Sequence, residues 1–320
     1  MRILFVTGTR IGDAVLSTGL LAHLVERHPG ARFTIVAGPE AAPLFAAVPG
    51  KERVIALAKQ RLSLHWLALY RRVAWPSWDI VVDLRGSALA FLLRARERRM
   101  MGKGAAEEHR VRQLARLFGL EPPPAPQLWT APEHEARAAA LLPPGAPVLA
   151  IGPAANWPGK QWPAERFAEL ALRLTGPGGP LPGARVAVLA AAHERAQAAP
   201  LLRALPPTRL IDLVGRTDLL TAAAALRRAR LFIGNDTGIM HIAAAMGTPT
   251  LGLFGPSLEQ HYAPWGPRSA VVRTVKSYAE IVGVPGYDHR RAETHMDSLS
   301  VEAAEAAARQ LWASVEGEAA

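Results

Sequence analysis

The stretch Ile3-Leu4-Phe5-Val6-Thr7-Gly8-Thr9-Arg10-Ile11-Gly12-Asp13 decides the fold. An unbroken apolar run reads as a strand covered on both faces. A glycine turn follows, and a helical pattern runs over 13–28. That is the first β-α step of an open parallel sheet. The spacing after the strand is G-x-x-x-G rather than G-x-G-x-x-G, and the second strand closes on Ala37-Gly38 without an acid. The dinucleotide-binding fingerprint is therefore absent.

The same rhythm recurs along the chain. Further strands are predicted at Phe33–Ala37, Arg53–Leu57, Ile80–Leu84 and Arg99–Met101, with helices near 40–47, 62–73, 87–96 and 105–118. Pro122-Pro123-Pro124-Ala125-Pro126 then breaks the pattern as a stiff, extended stretch. After a helical segment at 132–142 and Pro143-Pro144-Gly145, the rhythm restarts. Strands are predicted at Val148–Ile151, Arg185–Leu189, Leu210–Val214, Leu231–Ile233 and Thr250–Phe254. Helices are predicted near 163–174, 193–204, 218–228, 238–246 and 300–315. The reading is α/β, with two Rossmann-like doubly wound parallel sheets facing a cleft. The domains are 1–142 and 143–320, the last helix being free to pack back on the first domain.

Composition narrows the function. The 320 residues carry 37 Lys and Arg against 27 Asp and Glu, a net charge of +10. Residues 1–150 hold 20 basic and 12 acidic side chains, and residues 151–320 hold 17 and 15. The first half thus favours an anionic partner. With no cysteine, disulfides, thiolate metal sites and thiol nucleophiles are excluded. No 18-residue apolar run and no signal-peptide core occur, so a cytoplasmic chain, peripheral at most, is expected. Metal-binding histidine pairs, a nucleophile elbow and a Walker loop are also missing.

Four loops carry candidate chemistry. Asp13 near a helix start is either a helix-start carboxylate or a base. The helix dipole lowers its pKa, while a dry cleft raises it. Lys160, in Gly152-Pro153-Ala154-Ala155-Asn156-Trp157-Pro158-Gly159-Lys160-Gln161-Trp162-Pro163, is a solvated lysine or a phosphate-binding point charge. In Ile233-Gly234-Asn235-Asp236-Thr237-Gly238-Ile239-Met240-His241 a strand ends and a helix begins. Asn235 or Asp236 suits the N-cap, and the amides of Thr237 and Gly238 suit an anion. Phe254-Gly255-Pro256-Ser257 is the neighbouring loop.

Two basic segments read either as solvated faces or as anion surfaces. One is Arg94, Arg96, Arg98, Arg99, Lys103, Arg110, Arg112 and Arg116. The other is Arg71-Arg72 with Trp66, Trp75 and Trp78, suited to a bilayer interface.

Taken in order, Ile11-Gly12-Asp13, Gly152-Pro153…Lys160-Gln161-Trp162-Pro163, Asn235-Asp236-Thr237-Gly238…His241, Gly255-Pro256-Ser257 and the Met296…Ser300 run resemble glycosyltransferase family 9, the heptosyltransferase-type family. The resemblance implies the GT-B architecture. It also implies inverting transfer without a metal or other cofactor, from a nucleotide-sugar donor such as ADP-heptose. The acceptor it implies is a lipopolysaccharide core or other cell-envelope glycan, not nucleic acid. By resemblance Asp13 is the general base and Lys160 the phosphate-binding lysine. Asp236 contacts the donor sugar, Thr237 and Gly238 offer amides to the diphosphate, and Gly12 and His241 belong to the donor site. Glu194 lies where the family places an acid on the ribose. A nucleotide-sugar epimerase and a non-catalytic anion binder are the alternatives.

Overall fold

A computed structural model describes residues 1–102, 107–284, 287–288 and 293–319. Lys103 lies outside them. The chain divides into two units, Met1–Ala131 and Pro132–Ala320.

The first unit runs β1 (Arg2–Val6), α1 (Ile11–Leu16), α2 (Thr18–Arg27), β2 (Arg32–Ala37), β3 (Lys51–Ala56), α3 (Leu64–Val73), β4 (Trp78–Asp83), α4 (Leu89–Leu92), β5 (Ala95–Met100) and α5 (Arg110–Arg116). Its sheet has the order β3-β2-β1-β4-β5, all parallel, and the order reverses between β1 and β4. Ile3, Leu4, Phe5 and Val6 are fully buried, as a strand covered on both faces demands.

The helix expected over 13–28 is two helices. The Ser17 hydroxyl donates to the Ala14 carbonyl at 2.7 Å and also meets the Thr7 hydroxyl at 2.6 Å. This local bonding competes with the helical ladder and divides it. The extended proline stretch lies on α2 at Gly19, where a Cβ would come 2.3 Å from the Pro124 carbonyl oxygen. The helix expected over 87–96 is only one turn. Residues 95–100 are mostly charged, with Ala95, Glu97 and Met100 half-buried and the arginines exposed, and pair with β4 as an edge strand.

The second unit runs α6 (Pro132–Leu141), β6 (Val148–Gly152), α7 (Ala164–Thr175), β7 (Arg185–Val188), α8 (Arg195–Ala204), β8 (Leu210–Asp212), α9 (Leu219–Arg227), β9 (Leu231–Asn235), α10 (Gly238–Ala245), β10 (Thr250–Phe254), α11 (Glu259–Tyr262), β11 (Ser269–Arg273), α12 (Tyr278–Val282) and α13 (Val301–Ala319). Its parallel order is β11-β10-β9-β6-β7-β8, reversing between β6 and β9. The sequence reading missed β11, a half-buried edge strand.

Two helices that bear on the boundary find partners within the second unit. Helix α6, placed by sequence at the end of the first domain, packs along α9 of the second unit. Helix α13 lies on α7, β10 and β11 of its own unit. Its stripe Val301, Ala304, Ala308, Leu311 and Val315 enters that unit's core beside Leu170 and Phe167. Burial of an apolar stripe at this spacing decides where such a helix rests.

Candidate functional site

In each parallel sheet the loops after the strands share one edge, and ligands gather there at the reversal of strand order. In the second unit that point lies between the loops leaving β6 and β9. Gly152 and Gly234 stand in register across these strands. A Cβ on Gly234 would come 2.7 Å from the Phe232 ring and 2.9 Å from the Gly152 carbonyl oxygen, so the backbones approach as only glycine allows.

Asn235, fully buried at the end of β9, joins the two loops. Its side-chain amide donates to the Pro153 carbonyl at 2.8 Å and accepts from the Trp162 N–H at 3.1 Å. Asn235 therefore does not cap α10. Neither does Asp236: the N-cap is Thr237, without a side-chain capping bond.

The Asp236 carboxylate instead takes the Lys160 ammonium at 2.5 Å, in an ion pair whose side chains are 5% and 21% exposed. Charge-assisted bonds of this length in a largely dry setting are strong and directional. Lys160 ends a single 3₁₀ turn, Pro158–Lys160, shortly before α7 begins at Ala164. His241, one turn into α10 and buried, brings Nε2 to 3.9 Å from the other Asp236 oxygen. The structure thus gathers Lys160, Asp236, Thr237, Gly238 and His241 in one place.

The Thr237 hydroxyl is buried and has no hydrogen-bond partner among the described residues, as is the Ser257 hydroxyl on the loop after β10. Buried donors without partners are costly, and they concentrate where a ligand is to be met.

The far side of the Lys160 loop is pinned as well. The His295 N–H donates to the Gly159 carbonyl at 3.0 Å, and the Thr294 hydroxyl donates to the Gln161 carbonyl at 2.5 Å. The Trp162 indole donates to the Leu299 carbonyl at 2.9 Å. Gln197 of α8 accepts from the Ala155 N–H at 3.1 Å. Asn235 as a tie, Thr294 and Gln197 were not picked out by sequence reasoning, because each acts through partners remote along the chain. Glu194 lies on the loop after β7, at the same sheet edge. Its carboxylate turns back on its own 3₁₀ turn, accepting from the Ala191 N–H at 2.8 Å.

In the first unit the reversal lies between the loops leaving β1 and β4. Asp13 is the third residue of α1 and Gly12 the second. The N-cap is Arg10, with no side-chain capping bond. Gly8 sits so close that a Cβ there would come 2.6 Å from the Asp13 Cβ, and a Cβ on Gly38 would come 2.1 Å from the Thr9 carbonyl oxygen. After β4, buried Asp83 spends its oxygens on its own turn, accepting from the N–H groups of Arg85 and Ser87 at 2.9 Å each. Arg85 lies 4.8 Å over the Trp66 ring. Burial lowers its pKa, against the pull of Asp83.

Among the described residues no group of three His, Cys, Asp or Glu could hold a metal ion. No described helix is long and apolar enough to cross a membrane.

Comparison with known proteins places the chain in a family. The model of glycosyltransferase family 9 (heptosyltransferase) matches residues 85–282. The lipooligosaccharide heptosyltransferase 2 of Haemophilus influenzae is 29% identical over 157 residues, which are 48% of this chain and 43% of the relative's length. The aligned stretch is therefore less than half of that relative. The lipopolysaccharide heptosyltransferase 1 of Pseudomonas aeruginosa is 27% identical over 290 residues, covering 80% of this chain and 79% of the relative. The solved structure of Escherichia coli ADP-heptose lps heptosyltransferase II shares the fold with a TM-score of 0.74 at 20% identity, covering 99% of this chain and 100% of that one. The family model spans more than half of the sequence, including the Lys160 and Asp236 loops, and so the chain belongs to glycosyltransferase family 9.

Proposed function

We propose that this chain is an inverting, metal-independent glycosyltransferase. It moves heptose from ADP-heptose to a hydroxyl of a lipopolysaccharide-core acceptor. The observation that carries the reading is the Lys160–Asp236 pair beside the first turn of α10, at the reversal of strand order. Relatives named as lipopolysaccharide and lipooligosaccharide heptosyltransferases support the sugar and the acceptor.

In this reading Asp13 accepts the proton of the acceptor hydroxyl. That oxygen bonds to the anomeric carbon from the face opposite the leaving group, and the bond from that carbon to the diphosphate breaks. The charge leaving with the nucleoside diphosphate is met by Lys160 and the N–H groups of Thr237 and Gly238, each charge-assisted bond contributing about 1.5–3 kcal/mol. Asp236 holds Lys160 until the donor arrives, then accepts from a hydroxyl of the donor sugar, with His241 beside it. Glu194 meets the ribose hydroxyls, and Gly12 leaves the approach beside Asp13 open. In this reading the transfer takes place in the cytoplasm, at the inner face of the membrane that carries the acceptor.

The test is to incubate the protein with ADP-heptose and a core acceptor in the presence of a chelator. The expected result is released ADP and a glycoside of opposite anomeric configuration. Retained configuration rejects the single displacement, and loss of turnover on chelation rejects metal independence. An epimerised nucleotide sugar without ADP release would replace the reading with an epimerase.

A further inference from the structure

We infer that the outer face of α3 and α4, with the turn before α3, is a docking surface for an anionic lipid bilayer. Six of the ten large hydrophobic side chains exposed among the described residues belong to residues 62–92. Leu62 is 92% exposed, Trp75 89%, Phe91 71% and Leu92 65%, with Leu64 and Leu67 about half exposed. The two helices cover the same side of the sheet, since Leu69 and Val73 of α3 share a core cluster with Leu89 and Ala90 of α4. Along α3 the buried stripe is His65, Leu69 and Val73. Leu64, Leu67 and Arg71 recur at helical spacing on the opposite side. The Arg85–Trp66 stack ties the turn before α4 to the start of α3.

Charge completes the surface. Residues 57–78 contain no Asp or Glu, and neither do residues 84–96. Lys59, Arg61, Arg71, Arg72 and Arg94 are exposed, and none has an ion-pair partner among the described residues. Leu62 and Ser63 both adopt left-handed backbone angles, with φ of 52° and 58°. Non-glycine residues hold such angles at a cost, and here the result is an apolar tip in water.

Apolar side chains beside unpaired cations match the headgroup boundary of an anionic membrane. They do not suit a symmetric contact with a second copy, which would set these cations against their own kind. The segment expected from sequence to be interfacial is corrected in two details. Trp78 is buried, its indole donating to the Val73 carbonyl at 2.9 Å, and Trp66 lies under Arg85, so Trp75 alone of the three presents its ring.

The inference is separable from the transferase reading because its readout is binding. The full chain is sedimented with vesicles of phosphatidylcholine, alone or mixed with phosphatidylglycerol. Binding to the mixed vesicles is expected, weakening as salt rises. It should fall about ten-fold or more in the Leu62→Asp, Phe91→Asp double variant, whose sites are too exposed to disturb the melting temperature. A lipid brominated in its acyl chains should quench the fluorescence of the wild type more than that of Trp75→Phe, a readout that survives if the double variant folds poorly. Equal sedimentation of variant and wild type, or equal quenching, overturns the proposal. So does a concentration-dependent dimer that the double variant abolishes, which would assign the face to a second copy.

Discussion

The two carboxyl-terminal sheet edges of this chain are built differently. In the second unit the loops after β6 and β9 are wired together before any ligand arrives: Asn235 binds both, Lys160 meets Asp236, and residues 294–295 brace the back. In the first unit, Asp13 stands in the first turn of α1, behind a loop shaped by close approach at Gly8 and Gly38, and Arg10 beside it is exposed. A small, constant ligand such as a nucleoside diphosphate rewards a preset cradle, because fewer groups are ordered on binding. A large, variable acceptor rewards a surface that supplies charge and one well-placed carboxylate.

That contrast can be broken at several points. The largest expected effect is at Asp13: Asp13→Asn should lower the transfer rate about 10²–10⁴-fold while leaving nucleotide binding within a few-fold. Single-turnover kinetics with calorimetry on the same variant separate the two, and an unchanged rate removes Asp13 from the chemistry. Next, Lys160→Ala should raise the KM for the donor about 10–100-fold, the worth of one charge-assisted contact, with the acceptor KM unmoved. A loss confined to the acceptor would place the lysine on the wrong partner.

Smaller still is Gly38→Ala. The new methyl would strike the Thr9 carbonyl, so the turn must shift, at about 1–3 kcal/mol in a urea melt. If the turn positions Asp13, kcat falls as well, and a destabilised but fully active variant would show that it does not.

The smallest effect lies away from both edges, at α13. Arg309 first, and Arg173 next, hold the Glu305 carboxyl below its ordinary range. A depressed folded value stabilises fully above the usual glutamate range and loses that stabilisation as pH falls through it to the lower folded value. Glu305→Gln should therefore lower stability at neutral pH by about 0.2–1 kcal/mol, and the gap between melting curves should close in acid. A gap that is constant with pH would point to packing instead.

Much of the fold was legible because buried parallel strands write themselves as apolar runs: β1, β2, β9 and β10 stand where they were expected. What was not legible sits at sheet margins and in long-range bonds. Half-buried β11 and charged β5 lack the apolar signature. Residues 13–28 read as one helix because the break depends on Ser17 meeting Thr7. At the candidate site the residue types were legible and their roles in packing were not. Lys160 and Asp236 are 76 positions apart and meet because β6 and β9 are neighbours. Asp236 reads as a cap, yet one of its oxygens meets the lysine and the other faces His241. Asp13 lies outside the span matched by the family model, so its role rests on the experiments above.

One side chain sets a rule for redesign. Because the Asn235 amide grips the Pro153 and Trp162 backbones together, the β6 loop cannot be transplanted from another transferase as an independent cassette. A graft that omits this asparagine, or inserts a residue between 153 and 162, would leave its lysine out of register.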